Sequence, residues 1–260
     1  CLMVNKNLNN VANKLVNAFL KNKLISPISS KYTKKLSEAQ KLRKLCESKI
    51  NKPIAGFKAA GTGIPVLKKL KEKEPFYATV YKHNVLANNK SVKINKFTMG
   101  IELEVCYIVK STFFNLKTKI TSKNLKKFIS HIAPCIEVVG YRQKKKGIKS
   151  LGDLCSDFGA NVKFVVGPKK IFKNNNVKNL KTNIVNKKIN HSVFGNTNTV
   201  YVNPMNALFF VLKKLQKDKI RYNKDFYVFT GSTVGVVPIL GKGAYKGLIS
   251  KLGSVSTNIN

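Results

Sequence analysis

The sequence predicts an α+β fold in which helices are concentrated near the N-terminus and strands dominate from Ile54 onward. Three observations carry this expectation. Apolar residues recur at helical spacing in the first part of the chain, short β-like runs broken by glycine follow, and residues 97–109 alternate with a period of two. At 260 residues the chain can bury a sizeable core as one compact unit. Within it, residues 1–53 read as an N-terminal helical portion and residues 54–260 as a β-rich domain.

Val11, Leu15, Val16 and Phe19 share one face of a predicted amphipathic helix over residues 8–23. Pro27 and neighbouring serines make the next stretch a loop. A second helix follows over residues 36–50, with Leu36, Ala39, Leu42, Leu45 and Cys46 as its stripe and capping-box spacing between Ser37 and Gln40. Strands are predicted at 56–60, 97–109, 135–141, 162–166, 226–230 and 247–255, from alternation or β-branched content. Residues 122–131 read as a helix capped by Thr121 or Ser122. Residues 204–215 read as another, because Asn203 can cap it and Pro204 suits the first turn. Residues 169–190 are Lys/Asn-rich and weakly patterned, as expected of a surface excursion with room for a ragged strand.

The formal net charge of +38, from 49 Lys+Arg against 11 Asp+Glu, would suit nucleic acid, an anionic membrane or an acidic small molecule. The lysines are spread along the whole chain and Trp is absent, so only non-specific electrostatic binding of nucleic acid is expected. No apolar run approaches the ~20 residues that span a bilayer, and Leu2 to Val4 is too short for a signal peptide. Cys1, Cys46, Cys106, Cys135 and Cys155 contain no C-x-x-C pair, which argues against a disulfide framework or a structural zinc and for a reducing cytoplasm. Cys1 as first residue is expected to mark a truncation rather than a processed terminus.

The stretch 97–109 holds two of the few acidic residues. Ile101, Leu103, Val105 and Tyr107 alternate with Glu102, Glu104 and Cys106, so Glu102 and Glu104 point the same way. Residues i and i+2 on a strand face lie about 7 Å apart, so two inward carboxylates can converge on one divalent cation at roughly 2.0–2.6 Å. The alternative is the solvated outer face of an edge strand.

Several motifs, in order, resemble the 2-oxopent-4-enoate (2-hydroxypenta-2,4-dienoate) hydratase and 4-oxalocrotonate decarboxylase group of the fumarylacetoacetate hydrolase superfamily. They are Gly56-Phe-Lys-Ala-Ala-Gly-Thr62, Ile101-Glu-Leu-Glu-Val105, Ala133-Pro-Cys-Ile-Glu-Val-Val-Gly-Tyr-Arg142, Asp153-Leu-Cys-Ser-Asp-Phe-Gly-Ala-Asn161, Asn203-Pro-Met-Asn-Ala207, and Val228-Phe-Thr-Gly-Ser-Thr-Val-Gly-Val-Val-Pro238, with Leu252-Gly-Ser-Val-Ser256 resembling the closing strand. No single motif is diagnostic, but this order at compatible spacing is hard to obtain by chance.

The resemblance implies a rolled or sandwiched mixed sheet with N-terminal helices, and a Mg²⁺ or Mn²⁺ site formed by Glu102, Glu104 and Glu137. Glu137 sits in an otherwise apolar strand, where a carboxylate is costly unless it meets a metal ion or pairs with a base such as Arg142. Lys58 matches the group's catalytic lysine, against the alternative of one more surface lysine. Its pKa could be lowered by burial or a nearby metal. His83 falls where the group carries a catalytic aspartate, and is either a substitute base or an ordinary loop histidine. Gly100 stands where an arginine often precedes the Glu-x-Glu. Asp157 and Arg142 are expected to support the site, while Ser232 and Thr233 either approach an anionic substrate or only form a tight turn.

The activity implied is that of a divalent-metal-dependent lyase. It would hydrate 2-hydroxypenta-2,4-dienoate or a similar small 2-oxo acid in aromatic-compound catabolism, with 4-oxalocrotonate-type decarboxylation as the sister reading. A homo-oligomer is expected. The rival from another class is a non-catalytic basic binding protein on the same scaffold.

Overall fold

The structure, a computed structural model, describes residues 2–143 and 147–260. Cys1 lies outside the described residues. The chain opens with α1 (Leu2–Lys21) and α2 (Leu36–Ser48). There follow β1 (Ile54–Ala60), α3 (Ile64–Lys69), β2 (Phe76–Tyr81), β3 (Val85–Ala87), β4 (Ser91–Val92), β5 (Thr98–Val109), β6 (Ile129–Gly140) and α4 (Leu151–Ser156). The remainder is β7 (Asn161–Val166), β8 (Lys170–Ile171), β9 (Lys181–Asn186), β10 (His191–Asn196), α5 (Pro204–Lys217), β11 (Phe226–Ser232), β12 (Gly243–Ile249) and β13 (Gly253–Ile259).

An eight-stranded sheet runs β2-β1-β11-β5-β6-β7-β3, with β8 pairing on β6, and a five-stranded sheet runs β10-β9-β12-β13-β4. Both are mixed: β1 with β11, β3 with β7 and β13 with β4 are parallel, and the other pairs are antiparallel. The period of two along β5 decides how the sheets meet. Ile101, Leu103, Val105 and Tyr107 belong to the main core with Tyr245, Ile249, Val255 and Ile259 of the smaller sheet. At the contact Gly247 has no room for a side chain, since a Cβ would fall 2.5 Å from Leu103 Cδ1. Each fully buried aliphatic side chain there contributes about 1.5–3 kcal/mol.

The opposite face carries a separate cluster of Val80, Cys106, Ala133, Cys135, Phe164 and Phe229. Helix α5, capped by Asn203 as its sequence predicts, buries Ala207, Leu208, Val211, Leu212 and Leu215 in the main core with Phe57 and Val228. Helices α1 and α2 pack around Tyr81 of β2 and Phe158 of the turn before β7, which ties the N-terminal helices to the larger sheet. Cys46, Cys106, Cys135 and Cys155 are free thiols and buried. No helix among the described residues is long and apolar enough to cross a membrane.

Several local expectations are corrected. Residues 122–131 form only a short 3₁₀ turn, Leu125–Phe128, before β6 begins. The Thr121 and Asn124 side chains do cap each other's amides. The helix stops there because pairing with β5 takes the backbone groups from Ile129 onward. Ser37 forms no cap, since Lys35 occupies the cap position of α2. The capping box instead belongs to Ser150 and Asp153 at α4. Residues 247–255 are two strands, β12 and β13, joined by a turn in which Lys251 takes φ 64°.

Candidate metal centre

Strand β5 lies between β11 and β6, which overturns the edge-strand alternative for its acidic face. The register places Glu102 directly opposite Glu137, and Glu104 opposite Cys135. One carboxylate oxygen from each of Glu102, Glu104 and Glu137 lies within 4.8 Å of the others. Glu104 and Glu137 are fully buried, while Glu102 is partly exposed and lines a cavity of about 240 Å³. Lys58 of β1 reaches the group. Its Nζ donates to Glu137 Oε1 at 2.5 Å and to the carbonyl of Gly159 at 2.7 Å.

The acids strain one another. Burial and then the charge of Glu137 push Glu102 up to about 7, against the opposing pull of Lys58. Burial, Glu137 and Glu102 hold Glu104 well above the usual carboxylate range. Burial works to lower Lys58, but Glu137, Glu102 and Glu104 outweigh it and the net shift is upward. This reverses the lowered pKa expected from burial alone.

The residues fit a hard divalent ion. Glu104 Oε1 and Glu137 Oε2 are buried and meet no hydrogen-bond donor among the described residues, an arrangement costly unless a cation completes it. Three ionised carboxylates and one ammonium sum to −3 + 1 = −2, which a divalent ion balances. An all-oxygen donor set suits a hard divalent cation over softer metals.

The other expected residues divide. Arg142 does not pair with Glu137. Its Nη1 donates to Asp157 Oδ1 at 2.9 Å, its backbone amide to Asp157 Oδ2 at 2.6 Å and its Nη2 to Asn161 O at 3.0 Å. The guanidinium also lies over the rings of Phe19 and Phe97. This buried pair anchors the loop whose Gly159, at φ 70°, turns its carbonyl toward Lys58. Ser232 lines the cavity, but its hydroxyl donates to Gly235 O and accepts from Val234 N, locking the turn. Thr233 is buried with its hydroxyl on Leu103 O, so it ties the turn to β5.

His83 is not brought to the carboxylates. Register explains why: Lys58 pairs with Ala78 and Ile54 with Tyr81, so His83 lies beyond the far end of β1. That is four residues from Lys58 along β1, about 13 Å at strand rise, with the turn still to add. The imidazole is exposed, stacks on Tyr81 and borders a different depression with Leu20, Lys52, Pro53 and Lys82. Partial burial and the charges of Lys163 and Lys52 push its pKa down.

Two contacts escaped the sequence reading: the Gly159 carbonyl on Lys58, and the Gly231 amide, which donates to Glu104 Oε2 at 3.1 Å. Both are main-chain groups, which leave no residue-type signature.

The fold is that of the fumarylacetoacetate hydrolase type, as the motif order implied. The chain is similar to 4-oxalocrotonate decarboxylase from Pseudomonas putida G7, complexed with magnesium and adipate, with a TM-score of 0.85 at 16% identity over 98% of each chain. It is similar over 80% of its length to fumarylpyruvate hydrolase from Pseudomonas aeruginosa, complexed with Mn²⁺ and pyruvate, with a TM-score of 0.59, 10% identity and 89% of that chain covered. Fumarylacetoacetate hydrolase from Exiguobacterium antarcticum matches with a TM-score of 0.58 at 12% identity, over 80% of this chain and 76% of that one. At these identities the likeness is one of fold. No family model and no curated protein matches the sequence.

Proposed function

We propose that the chain is a divalent-metal-dependent lyase acting on a small 2-oxo acid, with hydration of 2-hydroxypenta-2,4-dienoate as the leading reaction. The observation that carries this is the convergence of Glu102, Glu104 and Glu137 beside buried Lys58, with two carboxylate oxygens lacking donors. The three glutamates would hold Mg²⁺ or Mn²⁺. When bound, the ion supplies Lewis-acid stabilisation of negative charge developing on the 2-oxo oxygen.

The chain's own residues do the rest. An ammonium has three donors. Glu137 and Gly159 take two of Lys58's, leaving one N–H at Nζ to bind the substrate carboxylate or deliver a proton as the dienol is ketonised. Val139 and Leu154 give the cavity an apolar wall against which the substrate's carbon chain can lie. The turn at Gly231 steadies Glu104 through its amide. His83 takes no part. The volume of about 240 Å³ falls below the roughly 300–1,000 Å³ of sites for drug-sized ligands, in keeping with a substrate of a few carbons.

Decarboxylation of a 4-oxalocrotonate-like diacid is the second reading, favoured by the extent of the likeness to the Pseudomonas putida decarboxylase. Cytoplasmic residence and a homo-oligomer complete the proposal. The deciding experiment is loss of dienoate absorbance with the full chain in Mg²⁺ or Mn²⁺ against excess chelator. Turnover should require the metal and fall by at least about 100-fold in Glu104→Gln. Metal-independent turnover, or a Glu104→Gln variant of full activity, would overturn the assignment.

A further inference from the structure

A groove of about 900 Å³ runs between the segment at residues 114–120 and the C-terminal end of α5. Six of its twelve lining residues are cations: Lys117, Lys119, Lys213, Lys217, Lys219 and Arg221; none is an acid. At 49 Lys+Arg in 260 residues, twelve positions drawn at random would hold two or three. The local density is therefore more than the chain's general lysine bias supplies.

The groove is also held in shape. Gln216 accepts from the amide of Ile120 at 3.0 Å and donates to the carbonyl of Thr118 at 2.7 Å, clipping the loop onto the helix. Arg221 donates to the carbonyl of Phe114. None of the six cations forms an ion pair with an acid among the described residues. The helix C-terminus offers only about half a negative charge, which cannot balance six positive ones.

We propose that this groove is a binding site for a small polyphosphate, a ligand whose closely spaced charges match clustered ammonium groups better than a monovalent anion does. The site is separate from the carboxylate centre, and the proposal does not depend on the activity assigned there.

The test is calorimetric titration of the full-length chain with inorganic tripolyphosphate and with orthophosphate at about 0.15 M salt, where exposed charges are screened beyond about 8 Å. A triple variant, Lys117→Gln, Lys119→Gln and Lys217→Gln, is compared with a control of equal charge, Lys69→Gln, Lys90→Gln and Lys178→Gln. Tripolyphosphate should bind at least tenfold more tightly than orthophosphate. The groove variant should weaken it about tenfold or more, and the control by less than twofold. Equal weakening by both triples would show diffuse attraction only and overturn the site. So would the absence of binding at that salt, or binding of a single-stranded oligoribonucleotide that tripolyphosphate cannot displace.

Discussion

The ammonium of Lys58 lies 2.5 Å from Oε1 of Glu137, with both side chains buried and the two residues 79 positions apart in the chain. Glu137 thereby serves two ends: one oxygen takes the lysine, the other is buried without a donor, and the carboxylate lies within 4.8 Å of Glu102 and Glu104. The lysine and the proposed metal ion are linked through this one carboxylate.

Removing the ammonium tests that linkage. Lys58→Met leaves the buried Glu104 and Glu137 and the partly exposed Glu102 with no compensating charge, and breaking a buried pair costs about 3–5 kcal/mol. Thermal melts in chelator should show a large loss of Tm. Saturating Mg²⁺ should restore much of it, yet not the activity. A Tm that stays depressed with Mg²⁺ present would mean that no cation binds the trio.

The pH dependence has a definite sign. Glu102 is raised from 4.5 to about 7, so the metal-free folded state keeps a proton that the unfolded chain releases. That contribution, on the order of 3 kcal/mol, is complete below about pH 4.5 and is lost as pH rises through about 7. Relative to Glu102→Gln, metal-free protein should lose Tm between pH 5 and 8. Stabilisation by Mg²⁺ should run the other way and grow over the same interval, because the ion needs the ionised carboxylate. Melts with and without chelator at four pH values would decide it, and parallel curves for the two proteins would contradict the assignment.

Arg142 and Asp157 form a buried ion pair behind the loop that carries Gly159. Arg142→Met should destabilise by about 3–5 kcal/mol, since Asp157 is left buried and unpaired, while Asp157→Asn with Arg142→Met together should cost less than the sum. Denaturant unfolding of the four proteins gives the coupling energy directly. Additive losses would show that the pair is not coupled.

His83→Ala should leave kcat and KM within about twofold, because the imidazole is exposed and lies beyond the far end of β1. A loss above tenfold would bring His83 back into the mechanism.

The cavity wall offers a test between hydration and decarboxylation. Val66, Met99, Val139, Ile148, Leu154 and Val236 line it, and Lys58 is the one cation among its described lining residues. Among the described lining residues a second carboxylate on the substrate would find no basic partner besides Lys58, so 2-oxopentanoate should inhibit at least tenfold more strongly than 2-oxoadipate. The reverse order in competition assays would favour the decarboxylase.

Local pattern alone determined much of this protein. The alternation in 97–109 put Glu102 and Glu104 on one face, Asn203-Pro204 marked the start of α5, and the motif order pointed to the fold type. These signals are legible because side-chain direction along a strand and the capping of a helix depend on neighbours in sequence. Tertiary structure alone decided the rest. Which strand faces β5, and in what register, set Glu137 opposite Glu102, aimed Lys58 at it, sent Arg142 to Asp157 and stranded His83 beyond the site. The same pairing replaced the helix expected at 122–131 with β6. Register comes from contacts between residues far apart in the chain, where a shift of one position turns every side chain to the other face, and no local periodicity encodes that choice.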